Sequence, residues 1–255
     1  MSKDGDSGIR IIGFLCNWCC YGGADLCGVS RFQYPPFLRV IRVMCSGRVD
    51  LSFILRAFSN GVDGVFIGGC HINDCHYNTE GNYDALAITL LCKKLLEYIG
   101  INPDRLRLEW VSAGEGIRFA EVITDFSNKI KALGPLGQWE GLDQEQLKVK
   151  LDAATQLIPY LRLLEHQRLR LPHMPEQEYR TFFDSEEFKR LFNETVSEKM
   201  VVAQIVSLVQ GGPRSTSEIA QRLALSPSEV SRHLNVSSRH GLVRYDPELK
   251  GYVAA

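Results

Sequence analysis

Over its first 133 residues the chain switches between short, dense apolar runs and longer stretches with helical spacing. The runs 9–15 (IRIIGFL), 39–44 (RVIRVM), 62–69 (VDGVFIGG) and 106–111 (LRLEWV) read as strands, the second interrupted by two arginines. Asp50 is placed to cap a short helix over 51–59 that stops before Gly61. In 83–99 the residues Ile88, Leu91, Cys92, Leu95 and Ile99 form one apolar stripe, with Gly100 just past its end. In 115–133 Phe119, Val122, Ile123, Phe126 and Ile130 form another, followed by Gly134. Strands and helices alternating with short connections predict an α/β fold, a parallel sheet with flanking helices of flavodoxin-like type.

Beyond this the pattern changes. GPLGQWEGLD (134–143) reads as a linker, residues 144–171 follow a helical period that Pro172 and Pro175 break, and a long helix is expected from about Ser185 to Val209. Gly211, Gly212 and Pro213 end it. The last 45 residues read as a small winged helix-turn-helix. Ser215–Glu218 forms one capping box and Ser226-Pro227-Ser228-Glu229 a second, its helix running to Gly241, and two short strands around Asp246-Pro247 would form the wing. Three regions are expected: 1–137, a helical linker segment 138–210, and the winged helix 211–255.

Charge adds little. The net charge of -1 calls for neither nucleic acid nor membrane, and only residues 200–255 lean basic, six against four. No apolar run has the length of a membrane span, and the polar start MSKDGDSG lacks a signal-peptide core, so a cytoplasmic location is expected. The cysteines change the picture. All eight lie in the first 92 residues, and in a reducing compartment such clustering points to metal or redox chemistry rather than structural disulfides.

Cys16 and Cys19 follow the first expected strand, Cys45 the second, and Cys70 the third, with Cys75 five residues on. Loops that follow the strands of an open parallel sheet share one edge, where such folds bind ligands. Five cysteines far apart in sequence would therefore meet. Thiolates serve zinc, an iron–sulfur cluster or a disulfide pair. Structural zinc sites usually show paired C-x2-4-C knuckles. This chain has the Cys16/Cys19 and Cys70/Cys75 spacings plus the single Cys45, an all-cysteine set with no evident His that suits iron–sulfur at least as well. Gly22, Gly23, Gly28, Gly47, Gly68 and Gly69 crowd the same region and would let backbone N–H groups approach cluster sulfurs.

The run CNWCCYGGADLCGVSRFQYPPFLRVIRVMCSGRVD, then GCHINDCHYNTEGNY, then RLRLEWVSAGEGIRFAEV resembles the small iron–sulfur (delta) subunit of the methyl-viologen-reducing hydrogenase, over about residues 9–133. The resemblance implies a [2Fe–2S] cluster. It maps the family's cysteines onto Cys16, Cys19, Cys45, Cys70 and Cys75, one more than the four ligands such a cluster needs. It also implies a non-catalytic, electron-transfer role. Electrons would pass between a hydrogenase, formate dehydrogenase or NADH-oxidising module and the flavin-containing subunit of a heterodisulfide reductase-like, electron-bifurcating complex.

Outside that pattern, Cys20 and Cys27 are expected as spectators and Cys92 as a small core residue. His71 and His76 flank the last two cysteines, where they suit an outer role around the site or an interface. Trp18 is placed either to shield the site or simply to pack. Arg31, Arg39, Arg42 and Arg48 suit an anionic cluster, a partner's acidic face or plain solvent. In the winged helix, 227–240 would present Ser231, Arg232, Asn235, Ser238 and Arg239, with Val230, Leu234 and Gly241 facing inward. The weak positive charge there favours docking or oligomerisation over DNA. An alternative is a redox-sensing regulator whose cluster controls DNA binding.

Overall fold

A computed structural model describes residues 8–77, 80–168 and 175–255. The polar stretch 1–7 and Pro172 lie outside the described residues. The described residues fall into two compact units, one drawn from Met1–Gln144 with Leu171–Ser185, the other from Glu145–Arg170 with Glu186–Ala255.

The first unit is the expected parallel sheet. Strands β1 (Ile11–Cys16), β2 (Leu38–Val43), β3 (Gly64–Gly69) and β4 (Leu106–Trp110) lie in the order β2-β1-β3-β4, every neighbouring pair parallel. This is the flavodoxin-like order without a fifth strand. β3 is buried along its whole length, as a central strand between helices must be, and this explains its unbroken apolar run. β2 is an edge strand and mostly exposed, so Arg39 and Arg42 fit within it.

Helix α1 (Cys20–Val29) links β1 to β2, α2 (Leu51–Ser59) links β2 to β3, α3 (Asn82–Tyr98) links β3 to β4, and α4 (Gly116–Leu133) follows β4. Asp50 caps α2 as expected, its carboxylate accepting the Ser52 N–H at 2.8 Å. The helix α1 is not foreshadowed by the sequence, because its glycines (CYGGADLCGV) disfavour helix. Packing overrides propensity here. A side chain at Gly22 would come within 2.9 Å of Ala113, and one at Gly23 within 2.8 Å of the Ser112 carbonyl. The glycines let α1 lie against the β4–α4 connection.

The stretch 134–143 is not a linker but a clasp. Arg105 and Glu140 are both fully buried and paired, Nε to Oε1 at 2.6 Å and Nη2 to Oε2 at 3.0 Å. The remaining guanidinium N–H groups donate to the carbonyls of Asp63, Leu133, Gly134 and Pro135. Asp63 accepts the Leu136 N–H at 2.8 Å and the Arg10 N–H at 2.7 Å. A buried ion pair survives only when its hydrogen bonds are satisfied, as they are here. Helix α7 (Glu176–Asp184), also unforeseen, belongs to this unit. Trp110 Nε1 donates to Glu176 at 2.8 Å, and the Tyr83 and Tyr179 rings lie 5.7 Å apart.

The second unit holds α5 (Gln144–Gln156, from its second residue), α6 (Ile158–Arg168), α8 (Glu186–Gln210), α9 (Thr216–Leu223), α10 (Pro227–Arg239) and the antiparallel hairpin β5 (Val243–Asp246) and β6 (Gly251–Ala254). Both capping boxes form as expected, Ser215 with Glu218 and Ser226 with Glu229. One core joins Val149 of α5, Ile205, Leu208 and Val209 of α8, Ile219, Val230, Leu234 and Val243. The winged helix therefore begins inside α8, upstream of residue 211. Gly241 does not face inward. It is exposed with φ +66° in the turn after α10, and His233 and Ser237 complete the buried face. No helix among the described residues is long and apolar enough to cross a membrane.

Candidate functional site

In the order β2-β1-β3-β4 the chain leaves β1 toward β2 and leaves β3 toward β4, so the connections diverge between β1 and β3. That divergence opens a crevice at the carboxyl ends of the two strands. Cys16 is the last residue of β1, and Cys70 directly follows β3. Their sulfurs are 3.9 Å apart. Cys19, the residue before α1, joins them, and the three sulfurs lie within 4.8 Å of one another.

Cys45, two residues past the end of β2, precedes a short turn over Ser46–Arg48. Cys75 lies in the loop between β3 and α3. Gly81 holds these two sulfurs close together. A side chain there would come within 2.5 Å of Cys75 Sγ and 3.3 Å of Cys45 Sγ. All five expected cysteines are thus brought to one edge, and all five are buried.

So many thiols in one place cannot ionise independently. The Cys16 thiol is driven far below its ordinary range, because Cys19, Cys45 and Cys70 hydrogen-bond to its sulfur. The backbone N–H of Trp18 adds to this. The neighbours move the other way. Cys19 is raised by Cys16 and Cys70 and then by burial, Cys45 by Cys16 and then burial, and Cys70 is pushed up to about 12, chiefly by Cys16. Thiols crowded in this way form a concentrated soft-donor site.

The surroundings sort the other residues. The Trp18 ring, about half exposed, stacks on His76 with centroids 4.8 Å apart, and His76 meets Tyr77 edge-on. The pair ties the Cys16–Cys19 turn to the Cys75 loop. His71 Nε2 lies 2.7 Å from Glu115, which also accepts the Ser112 N–H, and Glu115 is held below the usual carboxylate range by these two partners. Asn82 Nδ2 donates to the carbonyls of Cys70 and His71 and pins that loop.

Of the six crowding glycines, Gly47 does bring a backbone N–H to the Cys45 sulfur. Gly22 and Gly23 serve helix packing instead, and Gly68 makes room for the Cys20 side chain. Cys20 sits behind the site, its thiol raised by burial and then by Cys16 and Cys70. Cys27 points to the Phe32 carbonyl at 3.6 Å, and Cys92 is fully buried in α3. Gly81, Ser46, Asn82 and Glu115 were not evident from sequence, since none has a spacing that announces it.

The donor set suits a thiophilic metal group. The tight trio is purely thiol, with no hard oxygen ligand. The Ser46 hydroxyl, beside Cys45, is buried without a hydrogen-bond partner. Such a donor requires an acceptor, and thiolate or sulfide sulfur supplies one.

Comparison with known proteins agrees in outline. Residues 11–134 match the family "Methyl-viologen-reducing hydrogenase, delta subunit", and residues 201–245 match "Bacterial regulatory protein, arsR family". The chain is 55% identical over 126 residues to the vhc iron–sulfur subunit of the F420-non-reducing hydrogenase of Methanococcus voltae, covering 49% of this chain and 87% of that one. It is 54% identical over 126 residues to the iron–sulfur subunit of the F420-non-reducing hydrogenase of Archaeoglobus profundus, covering 49% and 91%. It is also 46% identical over 127 residues to a subunit of the ferredoxin:CoB-CoM heterodisulfide reductase of Methanosarcina mazei, covering 50% of this chain and 16% of that protein.

Proposed function

The chain belongs to the family of the methyl-viologen-reducing hydrogenase delta subunit, and on that premise we propose that it is a non-catalytic electron-transfer subunit holding a [2Fe–2S] cluster. Cys16, Cys19, Cys45, Cys70 and Cys75 supply the ligands, four at a time. The cluster, when bound, stores and releases single electrons. The observation that supports the reading is the convergence of the Cys16, Cys19 and Cys70 sulfurs at the crevice between β1 and β3, with Cys45 and Cys75 meeting beside Gly81.

The protein's own residues define what the site does. The N–H groups of Trp18 and Gly47 direct positive charge at the Cys16 and Cys45 sulfurs. The Ser46 hydroxyl is free to donate to the group, Asn82 fixes the Cys70 loop, and the Trp18–His76 stack covers one side. The names of the relatives, hydrogenase iron–sulfur subunits on one hand and part of a heterodisulfide reductase on the other, support a relay. Its donor would be a hydrogenase, formate dehydrogenase or NADH-oxidising module, its acceptor the flavin-containing subunit of a heterodisulfide reductase-like bifurcating complex, in the cytoplasm.

Anaerobic isolation from the native host tests this. Equal iron and labile sulfide, a paramagnetic signal on one-electron reduction and a co-eluting flavoprotein are expected. Zinc without iron or sulfide would sink the proposal.

The arsR-family match favours a second reading, a redox-sensing regulator. Helix α10 exposes Ser231, Arg232, Asn235, Ser238 and Arg239 together, a face suited to phosphates and base edges. That reading requires DNA affinity that changes with oxidation and falls steeply with salt. Absence of such binding leaves α10 as a protein-docking surface.

A further inference from the structure

The charges of the sheet unit are divided unevenly across it. Residues 9–60, which supply β1, α1, β2 and α2, carry six arginines, no lysine and two aspartates. Residues 61–144 carry seven basic and twelve acidic side chains. On the basic side, none of the arginines forms an ion pair with a carboxylate among the described residues. Arg42 instead bonds Asn17 and lies over the Tyr21 ring, and Arg39 donates to the Pro36 carbonyl. On the opposite side Arg107, Arg118, Lys94 and Lys129 all have carboxylate partners.

The basic side is also an open edge. β2 is the last strand of the sheet and pairs only with β1, so the outward N–H and C=O groups of Leu38–Val43 face no strand. Along it Val40 and Ile41 are exposed, and Met44, just beyond, more so. Unpaired backbone beside apolar side chains is what strand addition uses. The edge runs into the thiol site, since the Met44 carbonyl oxygen is 3.8 Å from Cys16 Sγ and Cys45 is the next residue.

We propose that the free edge of β2 is where the redox partner docks, by adding an extended, acidic segment beside Val40–Met44 with its carboxylates against Arg39, Arg42 and Arg48. The inference rests on the electron-transfer reading above and names the surface and chemistry of the partner. Arginine without a carboxylate partner, repeated along an edge, selects for an acidic strand and against pairing with a second copy, which would oppose arginine to arginine. Docking there sets the partner against the strand that leads directly to Cys45, where electron transfer needs the shortest path.

The test uses the full chain with its native partners. A photo-crosslinking residue replaces Val40, and a control replaces Lys129 on the acidic side. After anaerobic isolation and irradiation, crosslinked peptides are identified. The expected crosslinks run from position 40 to an acidic segment of a flavin-bearing protein, with few or none from position 129. Arg39→Glu with Arg42→Glu should reduce the yield at position 40 at least tenfold while the visible and EPR spectra of the cluster stay unchanged, and Arg39→Lys with Arg42→Lys should largely restore it. Crosslinks to a second copy of this chain, or to nucleic acid, overturn the proposal. So does a flavoprotein that co-elutes undiminished with the charge-reversed chain, an outcome that leaves the electron-transfer reading standing. Failure of any flavoprotein to co-elute with the wild-type chain, with its cluster present, takes down both.

Discussion

The two units carry their information in opposite ways. In the winged helix the fold is written locally: α9 and α10 each open on a capping box within four residues, and both boxes form. Yet the unit holds no cysteine, since every one lies before residue 93. In the sheet unit no short stretch is diagnostic. Its chemistry appears only when the connections after β1, β2 and β3 bring Cys16, Cys19, Cys45, Cys70 and Cys75 to one edge. Local signals specify a fold that admits several functions. Convergence of distant residues on one crevice restricts function far more.

The sharpest way to break this contrast is to remove thiols inside and outside the convergence. Cys45→Ser or Cys70→Ser is expected to abolish or severely impair the cluster, measured as iron and sulfide content and as the visible spectrum of anaerobic protein. Cys92→Ser should leave that spectrum intact, because Cys92 is buried within α3 away from the crevice. Loss of the cluster on changing Cys92 would mean that placement at strand ends is not what selects the ligands.

A smaller but still large effect separates the units energetically. Arg105→Ala leaves Glu140 buried and unpaired and strips donors from four carbonyls, a change that costs about 3–5 kcal/mol. Trp18, Trp110 and Trp139 all belong to the sheet unit, so tryptophan fluorescence during denaturant unfolding reports on it alone. The Arg105→Ala transition should move to much lower denaturant.

The same pair gives a pH dependence. Burial acts to raise the Glu140 carboxyl, but the Arg105 guanidinium and the Asn102 N–H outweigh it and hold it below the usual carboxylate range. A carboxyl lowered by folding contributes stability above its unfolded value, about 4.3, and that contribution is lost as pH falls through the folded value. Wild type should therefore lose fluorescence-detected stability over that acidic window, and Arg105→Ala should lose less. Equal losses would remove the clasp from the account.

The sequence was legible where one physical rule dominates. Buried strands announced themselves as apolar runs, and Asp50, Ser215 and Ser226 announced helix starts, because burial and capping act within a few residues. Cysteines at strand ends were legible because topology, not detail, brings them together. What was hidden depends on tertiary partners. The glycine-rich α1 is helical because it must lie close to the β4–α4 connection. The run 134–143 has a linker's composition, and only the distant Arg105 makes it a clasp. The glycines and proline at 211–213 have the composition of a boundary, which points to a winged helix starting at residue 211. Its core nonetheless draws on Ile205 and Leu208 of the helix before them.

The smallest effect probes the locally written unit. Ser226 Oγ accepts the Glu229 N–H at 3.2 Å, and the Glu229 carboxylate receives the Ser226 N–H at 3.0 Å. Pro227 follows at the first helical position, where its missing N–H costs nothing. Ser226→Ala removes one half of the box and leaves the N–H of Glu229 to solvent, a loss of about 1 kcal/mol typical of caps. Helix α10 carries Val230 and Leu234 into the core, so fraying at its start weakens the packing of the whole unit. Thermal unfolding followed by far-ultraviolet circular dichroism should show the winged-helix transition lowered by a few degrees. The tryptophan-detected transition of the sheet unit should be unmoved, since Ser226 lies in the other unit. If Ser226→Ala shifts the tryptophan signal as much as the helical one, the units unfold together, and the local signals of one are already part of the stability of the other.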